Sequence, residues 1–212
     1  MDNAAIPEVA PSTVSKTFED AGAVLLEAEI TVPEVSGFKR AKRVNKFYGE
    51  VSFRLLQYAQ GSLFKHAKRR FRDVLPGGFV PYKLVANYEV VRNSAGALTL
   101  CRDVSEFVPG REAVTARYVE NWDIASGSPI FPALSRKRLK AFVEELQSQA
   151  GRREMAGEAF FRDVKRNVKK HFNIGNCLLR EDGIDVYYPP SSLAPMDRGF
   201  LKLGVEGSFK FE

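Results

Sequence analysis

Histidine and cysteine are nearly absent from this chain: two of each occur in 212 residues. Cys101 and Cys177 lie far apart, each within an apparent strand, with no CxxC and no neighbouring His. That excludes a disulfide scaffold and a zinc site of ordinary spacing, and two buried small hydrophobes are the simpler reading. His66 sits inside a basic run and His171 closes a helical pattern after Lys169 and Lys170; helix-surface and last-turn roles account for both. Walker, GxGxxG, HExxH and GxSxG motifs are all missing. The expectation is a protein with no catalytic residues, no metal and no cofactor.

Long apolar runs are missing too. The longest, such as "AGAVLLEAEITV", are broken by charge within a few residues, far short of the ~20 that a spanning helix requires. The first 22 residues have neither a basic n-region nor an apolar h-region, so they read as a flexible leader rather than a secretory signal. The chain as it stands is expected in the cytoplasm, unless an export or anchor segment belongs to it. Tryptophan occurs once, at Trp122 in "ENWDIASGSPI"; at a strand end it is core or loop packing, or, if exposed, a stacking platform.

What is present is periodicity. In "LLEAEITV" Leu26, Ala28, Ile30 and Val32 alternate with Glu27, Glu29 and Thr31, the mark of a half-buried strand. From Val44 the period changes, and Val44, Phe47, Tyr48, Val51, Leu55 and Tyr58 define one face of a helix. Beyond Gly61 a second stripe of Phe64, Ala67, Phe71, Val74 and Leu75 lies about half a turn away. The mismatch predicts a kink or break over Gln60–Ser62, or else one helix covered on two sides. "PGGF" ends the helical region; two strands joined through "NSAG" and a third, "AVTARYVENW", come next.

Ser135 is placed to cap "RKRLKAFVEELQSQ", with Leu139, Phe142, Val143 and Leu146 on one face and Gly151 as the stop. "EAFFRDVKRNVKKHF" reads as a second helix burying Phe161, Val164, Val168 and Phe172. A hairpin of "NCLLR" and "IDVYYPP" through "EDG" and a last strand, "FLKLGVEGSF", complete the chain. Residues 23–212 are thus expected to form one α+β domain, an antiparallel sheet with helices packed mainly on one face, in the order β-α-βββ-αα-βββ.

Charge is distributed unevenly. Residues 37–75 carry 11 Lys/Arg against 2 Asp/Glu and residues 136–171 carry 11 against 5, while the whole chain is only +6. The helical segments are basic and the strand segments acidic. Within "KHAKRRFR", Lys65, Lys68, Arg69 and Arg72 fall at i, i+3, i+4 and i+7, a single stripe suited to tracking an anionic ligand or simply to solvation. No helix-turn-helix, zinc-finger or RNP-type signature accompanies it. The carboxylate pairs Asp103 with Glu106 and Asp182 with Asp185 are the nearest approach to acid–base chemistry, and the Asp182–Gly183 step has a sufficient role as a turn. Asp185 is expected to face outward.

The segment "CLLREDGIDVYYPP", followed by "SLAP" and "GFLKLGV", resembles the C-terminal half of a family of domains of unknown function. Relatives form the extracellular, lysozyme-binding region of the anti-sigma-V factor and the N-terminal region of a peptidoglycan deacetylase. "VNKFYGEVSFRLLQYAQ" is similar to the family's first helix, which opens with an Ile/Val-Asn pair, and Asn121, Asp123 and Gly127 match its n-x-D-x-x-[ST]-G segment. Where relatives often carry "GGAH", this chain has "PGRE", with Arg111 and no His. The resemblance implies an extracytoplasmic binding or sensor domain. Lysozyme, itself basic, is a poor long-range complement to a +6 chain.

The function expected is a non-enzymatic binding or sensor module for a partner protein or an anionic cell-envelope polymer, with Lys65, Lys68, Arg69, Arg72, Arg111 and Trp122 as contact residues. Nucleic-acid binding by the same basic face is the alternative, and a carbohydrate-directed enzyme or accessory domain is a third.

Overall fold

Strands whose two faces differ in polarity need a cover on the apolar side, and here each of two sheets receives helices on one face. The computed structural model describes residues 6–75 and 77–207. The larger sheet has the order β1-β2-β3-β4-β5-β6, formed by β1 (Glu8–Asp20), β2 (Ala23–Ser36), β3 (Tyr82–Asn93), β4 (Ala97–Phe107), β5 (Val114–Asp123) and β6 (Ser128–Pro129). Its neighbours are antiparallel except for the parallel pair β2 and β3. Between those two, α1 (Ala41–Tyr58) and α2 (Phe64–Arg72) form the crossover that a parallel pair requires. A smaller antiparallel sheet, β7 (Cys177–Leu179), β8 (Gly183–Tyr188) and β9 (Leu201–Glu206), shares a core with α3 (Arg136–Met155) and α4 (Val164–His171). The α+β class holds, with the strands divided between two sheets.

The alternation in β2 is realised as read: Leu26, Ala28, Ile30 and Val32 are buried and Glu27 and Glu29 exposed. The expected leader is largely the edge strand β1, paired with β2 along its whole length. It escaped notice because both its faces are wet and only Phe18 is buried, so no alternation marks it. The hairpin turns at Ala21 and Gly22, both at positive φ (50° and 78°), as a tight two-residue turn of right-handed twist demands.

Where the two helical stripes conflict, Ala59–Leu63 winds as a π-helix between α1 and α2. A π turn takes in about one extra residue, which rotates α2 back by ~100° and returns the second stripe to the sheet. The buried line runs Val44, Tyr48, Ser52, Ala59, Leu63 and Ala67. Phe47 and Tyr58, assigned to the buried face from spacing, are 37% and 41% exposed. The expected kink is therefore a change of winding within a continuous helical segment.

Ser135 caps α3 by accepting from the Arg138 N–H. The helix does not stop at Gly151 but runs through it, and the missing Cβ there makes room for the side chain of Lys165 on α4. The second helix is shorter than its apolar pattern: α4 begins at Val164, and Phe161 lies before it, 38% exposed. The last expected strand is realised as β9; its residues 208 and 209 lie outside the described residues.

The two sheets meet through an amide. Asn121 on β5, 4% exposed, donates through Nδ2 to the Cys177 carbonyl (2.8 Å) and accepts from the Leu179 N–H (3.1 Å). It thereby pairs the outer edge of β7 as a neighbouring strand would. Asn45 of α1 does the same for Val35 of β2, accepting from its N–H (2.8 Å) and donating to its carbonyl (2.9 Å). Asn121→Ala orphans two buried backbone groups and should cost about 3 kcal/mol in urea denaturation, whereas Asn121→Asp should recover only the half of the pairing that accepts from Leu179.

Both cysteines are free and buried. Burial raises the Cys177 thiol from 9.0 to about 12 and is also the main cause of the rise at Cys101 to about 11. A folded pKa above the unfolded one stabilises the protein while the thiol stays protonated, and that stabilisation is lost as pH rises from about 9 towards 12. Thermal unfolding measured over this range should decline more steeply for the natural chain than for Cys177→Ala, and neither thiol should react with Ellman's reagent at pH ~8 until the protein is unfolded.

Candidate functional site

Two surfaces carry features beyond folding. The first is the helical layer over the large sheet. Of the eleven Lys and Arg in residues 37–75, only Lys68 forms an ion pair among the described residues, to Asp20 at 2.9 Å, with its ammonium also over the Phe64 ring. The other ten are exposed and make no ion pair. Of the expected stripe, Lys65, Arg69 and Arg72 thus face solvent, while Lys68 is partly committed to the fold. Helix α3 is mixed: Lys140, Arg152 and Arg153 pair with Glu144, Glu145 and Glu158, while Arg136, Lys137 and Arg138 are exposed and form no ion pair among the described residues. The two basic helical regions cover different sheets, so they do not merge over one core.

The second surface lies along β5. Strand periodicity sends Tyr118, Glu120 and Trp122 towards α1 and sends Arg117, Val119 and Asn121 towards the small sheet. On the helix side a buried polar chain forms. Trp122 donates to the Tyr48 hydroxyl (2.9 Å), and Arg102 directs Nε and Nη2 to Glu120 Oε1 at 3.1 and 2.7 Å with its guanidinium 4.4 Å from the Tyr118 ring centre. Burial, then the nearby Glu120 carboxylate, raises the Tyr48 hydroxyl well above the usual phenol range, so it stays protonated. On the other side Asp103 takes a two-pronged ion pair from Arg117 (2.7 Å each), and that guanidinium lies 4.8 Å from both Tyr187 and Phe200. Between these groups runs a groove of about 360 Å³ lined by Phe47, Tyr118, Val119, Trp122, Phe131 and Asn176, among others.

Trp122 is a correction. Only 3% exposed and hydrogen-bonded to Tyr48, it is a core residue whose ring offers no stacking face, although its edge reaches the groove. Arg111 is exposed in the loop before β5, and its charge and that of Arg70 on α2 both act on the Tyr82 hydroxyl. His66 is exposed and packs edge-on to Tyr82. Asp103 and Glu106 are separately engaged, by Arg117 and by the Tyr58 hydroxyl (2.5 Å), so they form no acid–base pair. Asp182 pairs with Arg180 at the hairpin tip. Asp185, expected to face outward, is 5% exposed beneath Arg180 (3.0 Å) and Lys202 (3.1 Å). It points away from Ile184 and Val186 as expected, but towards a second covered face.

The residues behind the sequence resemblance have structural work. Asn45 and Asn121 join elements, Asp123 accepts from the Ser126 N–H in a turn, and Gly127, at φ 63°, faces Arg40 so closely that a Cβ would collide. The Arg102–Glu120 pair has no local signal in the sequence, because its members lie eighteen residues apart on different strands.

Among the described residues no group of three or more His, Cys, Asp or Glu side chains is placed to hold a metal ion, and no helix is long and apolar enough to cross a membrane. The chain matches no protein-family model and no curated protein. Its fold is that of solved DUF3298 proteins, a family of domains of unknown function. A member from Bacteroides fragilis superposes with a TM-score of 0.66 at 15% identity, covering 97% of this chain and 92% of that one. A DUF3298 family protein from Pseudomonas aeruginosa gives 0.60 at 12% identity, with 94% and 89% covered.

The Arg102–Glu120 pair has a direct test. Removing one charge strands the other in the interior, so Glu120→Gln should lower unfolding free energy by about 3 kcal/mol in urea, and the double change Arg102→Met with Glu120→Leu should recover much of that loss.

Proposed function

We propose that this chain is a non-catalytic binding module whose α1–α2 layer engages an anionic polymer, such as one of the cell envelope. The observation that carries the reading is the set of ten exposed Lys and Arg between Lys39 and Arg72 that form no ion pair among the described residues. Cations serving only the fold are commonly paired, as Lys140, Arg152 and Arg153 are, or confined to a last helical turn, where Arg69, Arg70 and Arg72 alone would belong. Those on α1 have no such explanation, and a layer of one sign concentrates mobile anions at its surface. Nucleic acid shares this charge chemistry, but the absence of a base-reading element among the motifs favours a polymer recognised by charge density.

The test compares inorganic polyphosphate with duplex DNA by fluorescence anisotropy across a salt series. Polyphosphate should bind at low salt, and Lys65→Ala with Arg69→Ala and Arg72→Ala should reduce the slope of log affinity against log salt by about two, at ~0.7 per lost contact. An unchanged slope would remove the α2 stripe from the site, and DNA bound more tightly than polyphosphate at every salt would favour the nucleic-acid reading.

A further inference from the structure

A strand at the border of a sheet has unpaired N–H and C=O groups, and most borders in this fold are covered. The outer edge of β7 is paired by Asn121. On β9, the Gly204 N–H donates to Gln149 and the Lys202 carbonyl accepts from Arg153, both on α3. The edge of β5 is covered only at its end: β6 pairs with Trp122 and Asp123 alone, and Ile130 donates to the Asn121 carbonyl. Because that carbonyl points outward, the alternation of an antiparallel strand also turns the backbone groups of Arg117 and Val119 outward. Neither has a hydrogen-bond partner on that side among the described residues.

This edge is the floor of the groove beside Arg102 and Glu120. Phe47, Tyr118 and Phe131 stand around it, 37%, 48% and 46% exposed, an unusual concentration of wet aromatic surface. The long edge of β1 is equally unpaired but lies in mostly solvent-exposed residues, without aromatic walls. Phe47 shares its helical stripe with Arg43 at i−4 and Arg40 at i−7, both exposed and unpaired, which sets positive charge on the helix side of the groove.

We propose that the β5 edge is a docking site for an extended segment of a partner protein, which adds a strand to the large sheet. The segment pairs its backbone with Arg117 and Val119, about four hydrogen bonds in all, places an aromatic or branched apolar side chain against Phe47 and Phe131, and carries acidic residues in its flank. This site borrows Arg40 and Arg43 from the α1–α2 layer but uses none of the α2 stripe, Lys65, Arg69 and Arg72.

The probe is a fluorescein-labelled peptide of about ten residues with alternating Thr and Val, a central Phe and Glu at both ends. A Lys-ended version and an N-methylated version blocked at the pairing amides serve as comparisons, all read by anisotropy. The Glu-ended peptide should bind, the N-methylated peptide should not, and the Lys-ended peptide should bind at least tenfold more weakly. Val119→Pro removes an outward N–H without touching the ladder to β4; it should abolish binding with little change in melting temperature, and Phe131→Ala should weaken binding several-fold. Triple alanine at Lys65, Arg69 and Arg72 should leave peptide affinity unchanged, so failure of the polymer reading is separable from failure of this one. Equal binding of the N-methylated peptide to the natural protein, no binding of any peptide at millimolar concentration, or a dimer in sedimentation that Val119→Pro dissociates would each overturn the proposal, the last by making a second copy the occupant.

Discussion

A buried peptide group must be paired, and where two elements meet outside the plane of a sheet no neighbouring strand can do it. In this protein the side-chain amide takes that place. Asparagine offers a donor and an acceptor in nearly the arrangement of a peptide unit. Asn121 uses both on β7 and Asn45 uses both on β2. One joins the two sheets and the other ties α1 to the end of the strand before it. The relative placement of the layers, and with it the groove along β5, depends on these pairings more than on any single apolar contact, because hydrophobic burial is not directional.

The same junction explains why charges are buried in a small domain. β4 is covered on both faces over its first half, by α1 on one side and by the small sheet on the other, so its polar residues lack water. Arg102 is answered by Glu120, Asp103 by Arg117, and Asp185 by Arg180 and Lys202. Such pairs add little net stability but are costly to break, and each ties one residue to a specific partner on another strand or turn. The outer helical layer over the large sheet is the opposite case. Apart from Lys68, its cations are solvated and form no ion pair among the described residues, so they are free of that constraint.

Sheet borders divide in a similar way. Side chains of α3 occupy the border of β9 and Asn121 that of β7, while β1 has a polar, exposed composition that includes Pro11 and Lys16, residues that discourage pairing between molecules. Among the described residues nothing pairs the β5 border along Arg117–Val119, and its surroundings are aromatic. A border left open where every other is managed is a departure from the needs of folding, and its walls belong to α1 and to the loop after β6.

From the sequence alone the α+β class, the alternation of β2, the hairpins β3–β4 and β7–β8, the cap at Ser135 and the conflict between two helical stripes were legible, since each depends on local spacing or turn chemistry. β1 was not, because an edge strand wet on both faces has no period to read. Nor could spacing choose which helical positions turn inward: the π turn at Ala59–Leu63 shifts the register, and tertiary contact with the sheet selects Tyr48 over Phe47. The charge of the α2 stripe was visible as composition, but which of its members stay unpaired, Lys65, Arg69 and Arg72 rather than Lys68, was decided in three dimensions, by where the acidic strand residues lie. Trp122, Glu120 and Arg102 became one buried chain, and β5 an open edge, only through pairings between distant segments. Local sequence encodes which backbone states are favoured; long-range packing decides which of their polar groups remain unpaired.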